Sequence, residues 1–398
     1  MRVAGSVRYA APDAWHALLR ERAFTAPREH DRDALLQAFA AHSPFYTSRL
    51  AGIQAWDAVP PLTKVEVAAV PVKCSGIMYD TRSSGTSGRQ VLIQNSQPEC
   101  RFRQALAYRP LLFSDLDAEV RQLIFVDGDA VDALNKPQFP FPYGGRRYFT
   151  WRVGCGADPA AILQLLHDLR PSLIRGLSSG IVRFVDAVGG NALADGSVRL
   201  VSPSGETLPR AWRAQLESAF AAPVLDRYGA TESGAIGWEC PHCRRYHANS
   251  DELVLEESPA GLLVTPLFVE TQPLLRYCLG DEVTLQPPDT DCSVRLPTLK
   301  IVAARRDDWL IDGRGARVSP LSFQFERIAG LYAWRIYQDA SGRVTVYIDA
   351  DSGSPAATEV QAQVARQVPG REVSCVRGVS RLQLAGKYKR VVSALRAD

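Results

Sequence analysis

The stretch of the chain with the clearest chemical content combines hydroxyl side chains with glycine. It reads Ser83-Ser84-Gly85-Thr86-Ser87-Gly88. Glycine lets backbone N–H groups form a concave nest, and the hydroxyls add donors, so such a loop can bind phosphate oxygens. It is not a P-loop of the type G-x-x-x-x-G-K-[ST], because Arg89 follows the last glycine and no Lys-Ser/Thr pair does. Taken alone, the composition favours a flexible surface turn.

Two later segments place carboxylates beside glycine turns. The segment 228–232 reads Tyr-Gly-Ala-Thr-Glu and follows a short buried run, and its hydroxyl and carboxylate oxygens suit phosphate and Mg²⁺, a hard cation. The segment 276–281 ends in Asp281, which could accept hydrogen bonds from ribose hydroxyls. In isolation, a solvated loop explains the first segment and a structural turn explains the second. The chemical interpretation therefore depends on finding the segments together.

Composition limits the classes of protein to consider. The chain has 398 residues, of which 46% are apolar and 22% charged, and this profile is typical of a globular protein with one large and one smaller domain. A net charge of +3 is too weak to indicate nucleic acid or an anionic membrane as the main partner. No apolar run could span a bilayer and residues 1–11 hold no signal-peptide core, so we expect a cytoplasmic protein whose eight cysteines are thiols or metal ligands.

The elements that must position these residues alternate between strand and helix in the first part of the chain. Helices are predicted at 31–42, 98–112, 158–169 and 210–220, and strands at 122–126, 171–176, 198–201 and 223–226. This alternation predicts layered α/β architecture, with ligands at the carboxyl ends of strands. Residues 138–147, which are rich in proline, glycine and aromatic side chains, are predicted to be irregular.

The pattern changes in the second half of the chain. Closely spaced strands at 252–256, 261–266 and 282–285 predict an antiparallel or barrel-like section. Beyond a boundary near 303–308, the predicted elements are helices at 319–328 and 356–367, a hairpin of 334–337 with 344–348, and a strand at 372–376. The predicted fold class is therefore α/β, with a large N-terminal domain of layered sheets and helices that includes the barrel-like section, and a small C-terminal α+β domain.

Taken in order, these segments resemble the motifs of the adenylate-forming superfamily, and the resemblance covers most of the chain. The loop 83–88 looks like its phosphate loop, 204–206 like its adenine-contacting loop, 228–232 like its Tyr-Gly-x-Thr-Glu motif, and 276–281 like its Arg-Tyr-x-x-Gly-Asp motif. Arg305 with Asp307 is similar to the arginine and hinge residue between its two domains, and Lys387 to its C-terminal catalytic lysine. Six matches in the correct order are far more specific than any one of them.

The resemblance implies that the chain uses ATP and Mg²⁺, and it assigns roles to residues. The catalytic residues would be Lys387, Glu232 and Thr231, with Glu232 also binding Mg²⁺. Asp281 and Arg305 would fix the ribose. The other residues expected to bind the nucleotide are Ser83, Ser84, Gly85, Thr86, Ser87, Gly88, Gly205, Glu206, Asp226, Tyr228 and Gly229. The adenylation domain would span 1–303, and a mobile lid, 304–398, would close for adenylation by moving about Asp307.

Within this superfamily the chain resembles the phenylacetate–CoA ligase branch. The Trp-Glu-Cys continuation at 238–240, the segment 60–64 and the short length support that branch, whereas Leu279 and Ala304 depart from the usual motif residues. The branch implies an aromatic carboxylic acid as substrate and CoA as acceptor. Alternatives are transfer to a carrier-protein thiol or to an amine and, in another class, a non-catalytic zinc-containing binding protein. A homodimer is a further hypothesis.

A cysteine-rich insertion, residues 240–292, predicts a zinc site. A Cys-x-x-Cys pair with a histidine four positions later can supply three tetrahedral zinc ligands from one loop. The expected ligand set is Cys240, Cys243, His247 and Cys292, and the alternatives for the fourth position are His242 and Cys278. Some relatives in the branch are similar, with a Cys-x-Cys-Gly in the loop around Cys292. Four protein ligands leave no open position, so the expected role is structural. Reduced, partly buried thiols are the alternative, while a redox pair lacks the thioredoxin-like context.

Overall fold

The computed structural model of the chain describes residues 12–25, 29–73, 76–82, 91–128, 140–189, 193–206, 208–303, 309–318, 322–323, 325, 328–377 and 391–395. Several predicted functional positions lie outside these residues, namely the loop 83–88, Arg305, Asp307 and Lys387. Their roles therefore stay predictions from the sequence.

Three helices open the described chain: α1 (Pro12–Phe24), α2 (Arg32–His42) and α3 (Pro44–Arg49). The helix predicted at 31–42 is confirmed, because the Asp31 carboxylate accepts a hydrogen bond of 3.0 Å from the N–H of Ala34 and caps α2. This helix ends before Pro44, since a residue that precedes proline avoids helical backbone, and Ser43 is extended at φ −160°.

A hairpin of β1 (Met78–Arg82) and β2 (Leu92–Ser96) leads into helix α4 (Gln97–Tyr108). Ser96 and Glu99 form a capping box at the start of α4, in which the Glu99 carboxylate accepts a hydrogen bond of 2.7 Å from the N–H of Ser96. The helix predicted at 98–112 ends as an α-helix at Tyr108 and continues as a 3-10 turn, Arg109–Phe113. Pro110, which lacks a backbone N–H, explains the change.

A ten-stranded sheet dominates the N-terminal part of the described chain. The elements that follow α4 are β3 (Glu119–Val126), β4 (Phe141–Tyr143), β5 (Arg146–Gly154), α5 (Pro159–Leu169), β6 (Leu173–Leu177), α6 (Ser178–Val188), β7 (Leu200–Ser204), α7 (Arg210–Phe220), β8 (Arg227–Ala230), β9 (Gly234–Glu239), β10 (Tyr246–Ala248), β11 (Leu253–Glu256), β12 (Leu263–Pro266), β13 (Tyr277–Cys278), β14 (Glu282–Gln286) and β15 (Thr298–Ala303). The strand order in the large sheet is β14-β15-β10-β9-β8-β7-β6-β3-β5-β4. Strands β5, β3, β6, β7 and β8 run parallel, and their neighbours on both sides are antiparallel.

Helices cover both faces of this sheet, as alternate side chains of β3 show. Leu123 and Phe125 belong to a core cluster that includes Leu166 of α5 and further residues of α6 and α7. Val120, which points to the opposite face, belongs to a second cluster that includes Phe102 of α4. The predicted layered α/β fold class is thereby confirmed.

The predicted irregular segment 138–147 is wrong in its described part, which contains a β-hairpin. Strands β4 and β5 pair antiparallel, with Tyr143 opposite Arg146. The two residues between them, Gly144 and Gly145, both have positive φ, 66° and 72°. A Gly-Gly pair with left-handed backbone is the usual connection of a two-residue hairpin. The proline and aromatic content of the segment concealed this signal.

The strand predicted at 223–226 is displaced towards the C-terminus. Within that segment Val224 makes only an isolated bridge to Val201, and strand β8 begins at Arg227. Strands β7 and β8 share a single residue pair, Ser204 with Arg227. The helix predicted at 210–220 has the same bounds as α7.

The predicted antiparallel section is confirmed, although its strands are divided between two sheets. Strands β11, β12 and β13 form a separate three-stranded antiparallel sheet. Strands β14 and β15 extend the large sheet instead, with β15 paired to β10.

The C-terminal elements form a small α+β unit, as predicted. They are β16 (Leu310–Ile311), β17 (Arg317–Val318), β18 (Leu331–Gln338), β19 (Val344–Ala350), α8 (Ala356–Gln367), β20 (Val373–Arg377) and β21 (Val391–Ser393). A four-stranded sheet of order β20-β19-β18-β21 packs Ile336 and Val346 against Val360 of α8. In the segment 319–328, predicted as helix, the described residues are not α-helical. The domain boundary near residue 303 stays a prediction.

Among the described residues, no helix has both the length and the apolar character that crossing a membrane would require.

Candidate functional site

Two of the predicted nucleotide-binding segments lie at the carboxyl ends of adjacent strands, with Gly205 and Glu206 at the end of β7 and Thr231 and Glu232 after β8. Glu206 follows β7, and its carboxylate accepts hydrogen bonds from the N–H of Ser179, 2.8 Å, and from the hydroxyls of Ser179 and Ser178, 2.9 and 3.1 Å. These serines follow β6 and begin α6. Gly205 has φ 84°, which favours glycine at this turn. The loop after β7 is therefore fixed to the start of a helix at the edge where open α/β sheets bind ligands.

Two tyrosine hydroxyls connect the motif at 228–232 to the motif at 276–281. The hydroxyl of Tyr228 donates a hydrogen bond of 2.6 Å to Oδ2 of Asp281. In the reverse direction, the hydroxyl of Tyr277 donates a hydrogen bond of 3.1 Å to Oε1 of the buried Glu232. The structure thus brings Tyr228, Glu232 and Asp281 together from segments 45 to 53 residues apart.

Arg103 of α4 holds the end of this motif, although nothing in the sequence indicated it. Its guanidinium donates hydrogen bonds to the carbonyl oxygens of Thr231 and Glu232, the second at 3.3 Å. The turn that follows passes close to the same side chain, because a Cβ on Gly234 would lie 3.6 Å from the guanidinium. Arg103 is 128 residues away in sequence from Thr231, so no local pattern could have revealed the contact.

Arg276 and Gly229, which belong to the predicted motifs, have structural roles. Arg276 has φ 48°, donates hydrogen bonds to the carbonyls of Trp56 and Asp57, 3.0 and 3.1 Å, and pairs with Glu256 at 3.2 Å. It therefore fastens the turn to the N-terminal segment. Gly229 is required by the tight β8–β9 hairpin, because a Cβ there would lie 2.6 Å from the carbonyl oxygen of Gly234.

Asp226 is engaged within the protein through both carboxylate oxygens. Oδ2 accepts a hydrogen bond of 2.6 Å from the hydroxyl of Tyr246, and Oδ1 accepts one of 2.8 Å from the N–H of Arg227. Burial raises the pKa of Asp226 to about 6, and the neighbouring carboxylate of Glu239 adds to the effect. A contact between Asp226 and a nucleotide therefore stays a prediction.

The four predicted zinc ligands lie together. One ligand atom from each of Cys240, Cys243, His247 and Cys292 can be chosen so that all lie within 4.8 Å of one another. Tetrahedral ligands at about 2.3 Å for sulfur and about 2.0 Å for nitrogen would place two sulfurs about 3.8 Å apart and sulfur and nitrogen about 3.5 Å apart. Cys240 Sγ and Cys292 Sγ are 3.8 Å apart, and His247 Nε2 is 3.5 Å from the sulfurs of both Cys243 and Cys292. The donor set and its spacing fit zinc.

The surroundings of the cluster favour the form of His247 that can bind a metal. The Nδ1 of His247 lies 3.0 Å from the carbonyl oxygen of Leu296, which favours the tautomer that leaves Nε2 to bind a metal. Burial lowers the pKa of His247 and keeps the ring neutral. The two alternative ligands are not members of the cluster, and the thiol of Cys278 instead lies 3.3 Å from the carbonyl oxygen of Ala260.

Comparison with known proteins supports the fold that the motifs predicted. No family model matches the sequence. Protein CapK of Staphylococcus aureus is 26% identical over 143 aligned residues, an alignment that covers 31% of this chain and only 29% of that protein. The structure of 2-hydroxyisobutyryl-CoA ligase in its postadenylation state shares a TM-score of 0.70 at 17% identity, over 99% of this chain and 90% of the ligase. This chain has the adenylate-forming fold.

Other solved structures with the adenylate-forming fold give weaker matches. The same ligase in its thioesterification state, in complex with 2-HIB-AMP and CoA, has a TM-score of 0.54 at 18% identity, over 99% of this chain and 90% of the ligase. The anthranilate CoA ligase AuaEII, in complex with anthranoyl-AMP, has a TM-score of 0.52 at 15% identity, over 75% of this chain and 63% of that protein. The adenylate-forming resemblance found in the motifs is thus confirmed at the level of the fold.

Proposed function

We propose that this protein activates a carboxylic acid with ATP and transfers the acyl group to the thiol of CoA. The observation that carries the proposal is the pair of hydrogen bonds Tyr228–Asp281 and Tyr277–Glu232, which joins two motifs at the ligand-binding edge of an adenylate-forming fold. A solved protein of this fold was obtained with an acyl-AMP and CoA.

The proposed reaction has two steps. A carboxylate oxygen of the acid attacks the α-phosphorus of ATP, the bond from that phosphorus to the bridging oxygen breaks, and pyrophosphate leaves. The CoA thiolate then attacks the acyl carbon, the bond to the AMP oxygen breaks, and AMP leaves. Because both reactants of the first step are anions, the protein must hold them in contact and stabilise charge as it develops.

The described residues suit the nucleotide part of this reaction. Glu232 would hold Mg²⁺, since it offers a hard carboxylate oxygen and Tyr277 orients the group. Mg²⁺, when bound, would neutralise phosphate charge. Asp281, oriented by Tyr228, would accept hydrogen bonds from the ribose, and the loop at Gly205 and Glu206 would contact the adenine.

The residues outside the described part complete the proposal through the motif resemblance alone. The hydroxyls and N–H groups of 83–88 would bind the β- and γ-phosphates, Arg305 would contact the ribose, and Lys387 would bridge the carboxylate and the α-phosphate. The C-terminal lid, 304–398, would close about Asp307 for this step. An aromatic acid is the proposed substrate, because the motifs resemble the phenylacetate–CoA ligase branch.

Zinc in the four-residue cluster would have a structural role. Cys240 and Cys243 come from the turn between β9 and β10, His247 lies on β10, and Cys292 comes from the loop before β15. Zinc, when bound, would join these segments beside a small apolar cluster that includes Trp238. Four protein ligands leave no position for a substrate, so the metal takes no part in the proposed reaction.

A screen for pyrophosphate release tests the function. The protein is incubated with ATP, Mg²⁺ and a panel of carboxylic acids, with either hydroxylamine or CoA, and products are identified by mass spectrometry. We expect an acyl-hydroxamate in the first case and an acyl-CoA in the second. Hydroxamate without acyl-CoA would replace CoA by a carrier-protein thiol or an amine. Zinc content without pyrophosphate release from any acid would favour a non-catalytic zinc-containing protein.

Removal of the Tyr228 hydroxyl tests the ribose contact. We expect Tyr228→Phe to weaken AMP binding by about 5- to 10-fold, because Asp281 loses a hydrogen bond worth about 1 kcal/mol that orients it. Titration calorimetry with AMP measures the change. Tyr337→Phe, at an exposed tyrosine, is the matched control. Equal affinities of Tyr228→Phe and the wild type would contradict the assignment of Asp281.

A further inference from the structure

Two arginines beneath the proposed ligand site have no carboxylate partner among the residues the structure describes. Arg175 lies on β6 and is 6% exposed, and Arg227 is the first residue of β8. Neither takes part in an ion pair within the described part of the chain. A guanidinium removed from water without a countercharge is costly, so this pair requires an explanation.

The neutral groups around Arg175 satisfy it only in part. One terminal nitrogen donates a hydrogen bond of 3.0 Å to Oε1 of Gln122, and the guanidinium carbon lies 4.4 Å from the ring centroid of Tyr108. Its Nε, which is buried, has no hydrogen-bond partner. A guanidinium carries five N–H donors, so most of its capacity is unused by described residues.

Arg227 is held in a similar way by neutral acceptors. One terminal nitrogen donates a hydrogen bond of 3.0 Å to the hydroxyl of Ser204, and longer contacts of 3.4 and 3.5 Å reach the carbonyls of Ser202 and Ala107. Its buried Nε also lacks a partner. Burial, followed by the positive charge of Arg175, holds the pKa of Arg227 well below its usual range, and the nearby Tyr108 and Asp226 oppose this shift only in part. The two cations therefore lie close enough to repel each other.

Other buried arginines of this protein are paired with carboxylates. Arg109, fully buried, makes two hydrogen bonds of 2.8 and 3.0 Å to the two oxygens of Asp251. Arg276, 9% exposed, pairs with Glu256 at 3.2 Å. The half-buried Arg103 and Arg146 resemble Arg175 and Arg227 in donating to neutral oxygens, with no ion pair within the described chain. What distinguishes Arg175 and Arg227 is that two such guanidinium groups lie close enough to repel each other.

Arg227 is the more accessible of the two arginines. It is half-buried, although burial is the main cause that lowers its pKa. The residues next to it in sequence and space belong to both nucleotide motifs, because Ser204 precedes Gly205 and Arg227 precedes Tyr228. On β3, Ile124 is also partly accessible and points to the same face as Gln122, which contacts Arg175.

We propose that Arg175 and Arg227 bind a second carboxylate of the acid substrate, so that the protein acts on dicarboxylic acids. One carboxylate of such an acid is activated, and the other pairs with the guanidinium groups, whose planar donors match a carboxylate. This inference rests on the proposed adenylation of an acid and specifies the class of that acid. Binding of the second carboxylate supplies the ion pair that neither arginine makes within the described chain.

Diacids and their half-amides provide a matched test, because an amide has the shape of a carboxylate without its charge. Pyrophosphate release is measured for aliphatic diacids of increasing length and for terephthalate, each beside its own half-amide. We expect kcat/KM to be at least about tenfold higher for the preferred diacid than for its half-amide, since hydrogen bonds to charged groups are the stronger ones. Half-amides that react as well as every matched diacid would overturn this inference while leaving the proposed adenylation intact.

Substitution of the arginines separates this site from a general preference for anions. In Arg227→Gln and Arg175→Gln, the diacid to half-amide ratio should fall towards one, mainly through KM for the acid. Arg227→Lys, which keeps the charge, should retain part of the preference, and it replaces Arg227→Gln if that variant does not fold. Arg199→Gln, at an exposed arginine paired with Asp115, is the control. An undiminished ratio in the Arg227 and Arg175 variants would refute their assignment.

A binding measurement covers the case in which no acid releases pyrophosphate. The thermal unfolding of the wild-type protein is then compared in the presence of each diacid and its half-amide, without nucleotide. A larger rise in melting temperature with a diacid, lost in Arg227→Gln or reduced in Arg227→Lys, would support the carboxylate site although the proposed adenylation had failed. Equal shifts with diacid and half-amide would overturn the site as well.

Discussion

Replacement of Lys387 by alanine is expected to lower the rate of acyl-adenylate formation by about 100- to 1000-fold. In the proposed first step an anionic carboxylate approaches an anionic α-phosphate, and a positioned ammonium group between them stabilises the charge of the transition state. Loss of one such preorganised donor costs about 3–4 kcal/mol in other enzymes. The rate of ATP–pyrophosphate exchange, measured with a substrate acid, reports this step directly.

The control for Lys387→Ala is Lys389→Ala, which removes the same charge two positions further along the chain. We expect exchange in Lys389→Ala to stay close to the wild-type rate. Transfer to CoA that starts from synthetic acyl-adenylate should be far less sensitive to Lys387→Ala, because the repulsion between carboxylate and phosphate has already been overcome. Wild-type exchange rates in Lys387→Ala would rule out the assignment of this lysine.

Replacement of Cys292 by serine is expected to abolish zinc binding and to destabilise the N-terminal domain by about 4 kcal/mol, because loss of a metal is one of the few causes of such large effects. The sulfur of Cys292 lies 3.8 Å from that of Cys240 and 3.5 Å from Nε2 of His247. Loss of the metal would remove the bonds that join these buried side chains. Elemental analysis and thermal unfolding measure the two effects. A strong chelator should lower the melting temperature of the wild type but not that of Cys292→Ser.

The two alternative ligands considered from the sequence serve as controls for this zinc prediction. Cys278→Ser and His242→Ala should keep bound zinc and an unchanged response to the chelator, because neither residue belongs to the four-residue cluster. Zinc bound as tightly by Cys292→Ser as by the wild type would show that the cluster is a group of buried thiols and not a metal site.

Features whose residues lie close together in sequence could be predicted from the sequence. Helix α7 has the predicted bounds, since a continuous amphipathic run starts after Pro209 and its end is marked by Ala221 at φ 48°. The Cys-x-x-Cys pair and His247 lie within eight residues, so their grouping could be predicted from spacing. The hairpin at Gly144 was missed because aromatic and proline residues around it outweighed its glycine signal.

Contacts across the fold could not be predicted from spacing. The strand order that places β8 beside β7 and β9 depends on packing of the whole sheet. The hydrogen bonds from Arg103 to the carbonyl of Thr231 and from Tyr277 to Glu232 depend on the same packing. Tyr277 was visible as part of a motif, but its partner was not. Arg175 carried no signal at all, since a single arginine in a strand gives no indication that a second, unpaired arginine lies beside it.

Strand β8 presents successive residues to different ligands in the proposed reaction. Arg227 would bind the second carboxylate of the acid, whereas Tyr228, the next residue, donates a hydrogen bond to Asp281, the proposed ribose ligand. The two residues have different hydrogen-bond partners, since Arg227 contacts Ser204 and Tyr228 contacts Asp281. A library randomised at Arg227 and Arg175 alone would therefore be a compact starting point for evolving acid-activating catalysts with new acyl selectivity while the ATP-handling residues keep their native identities.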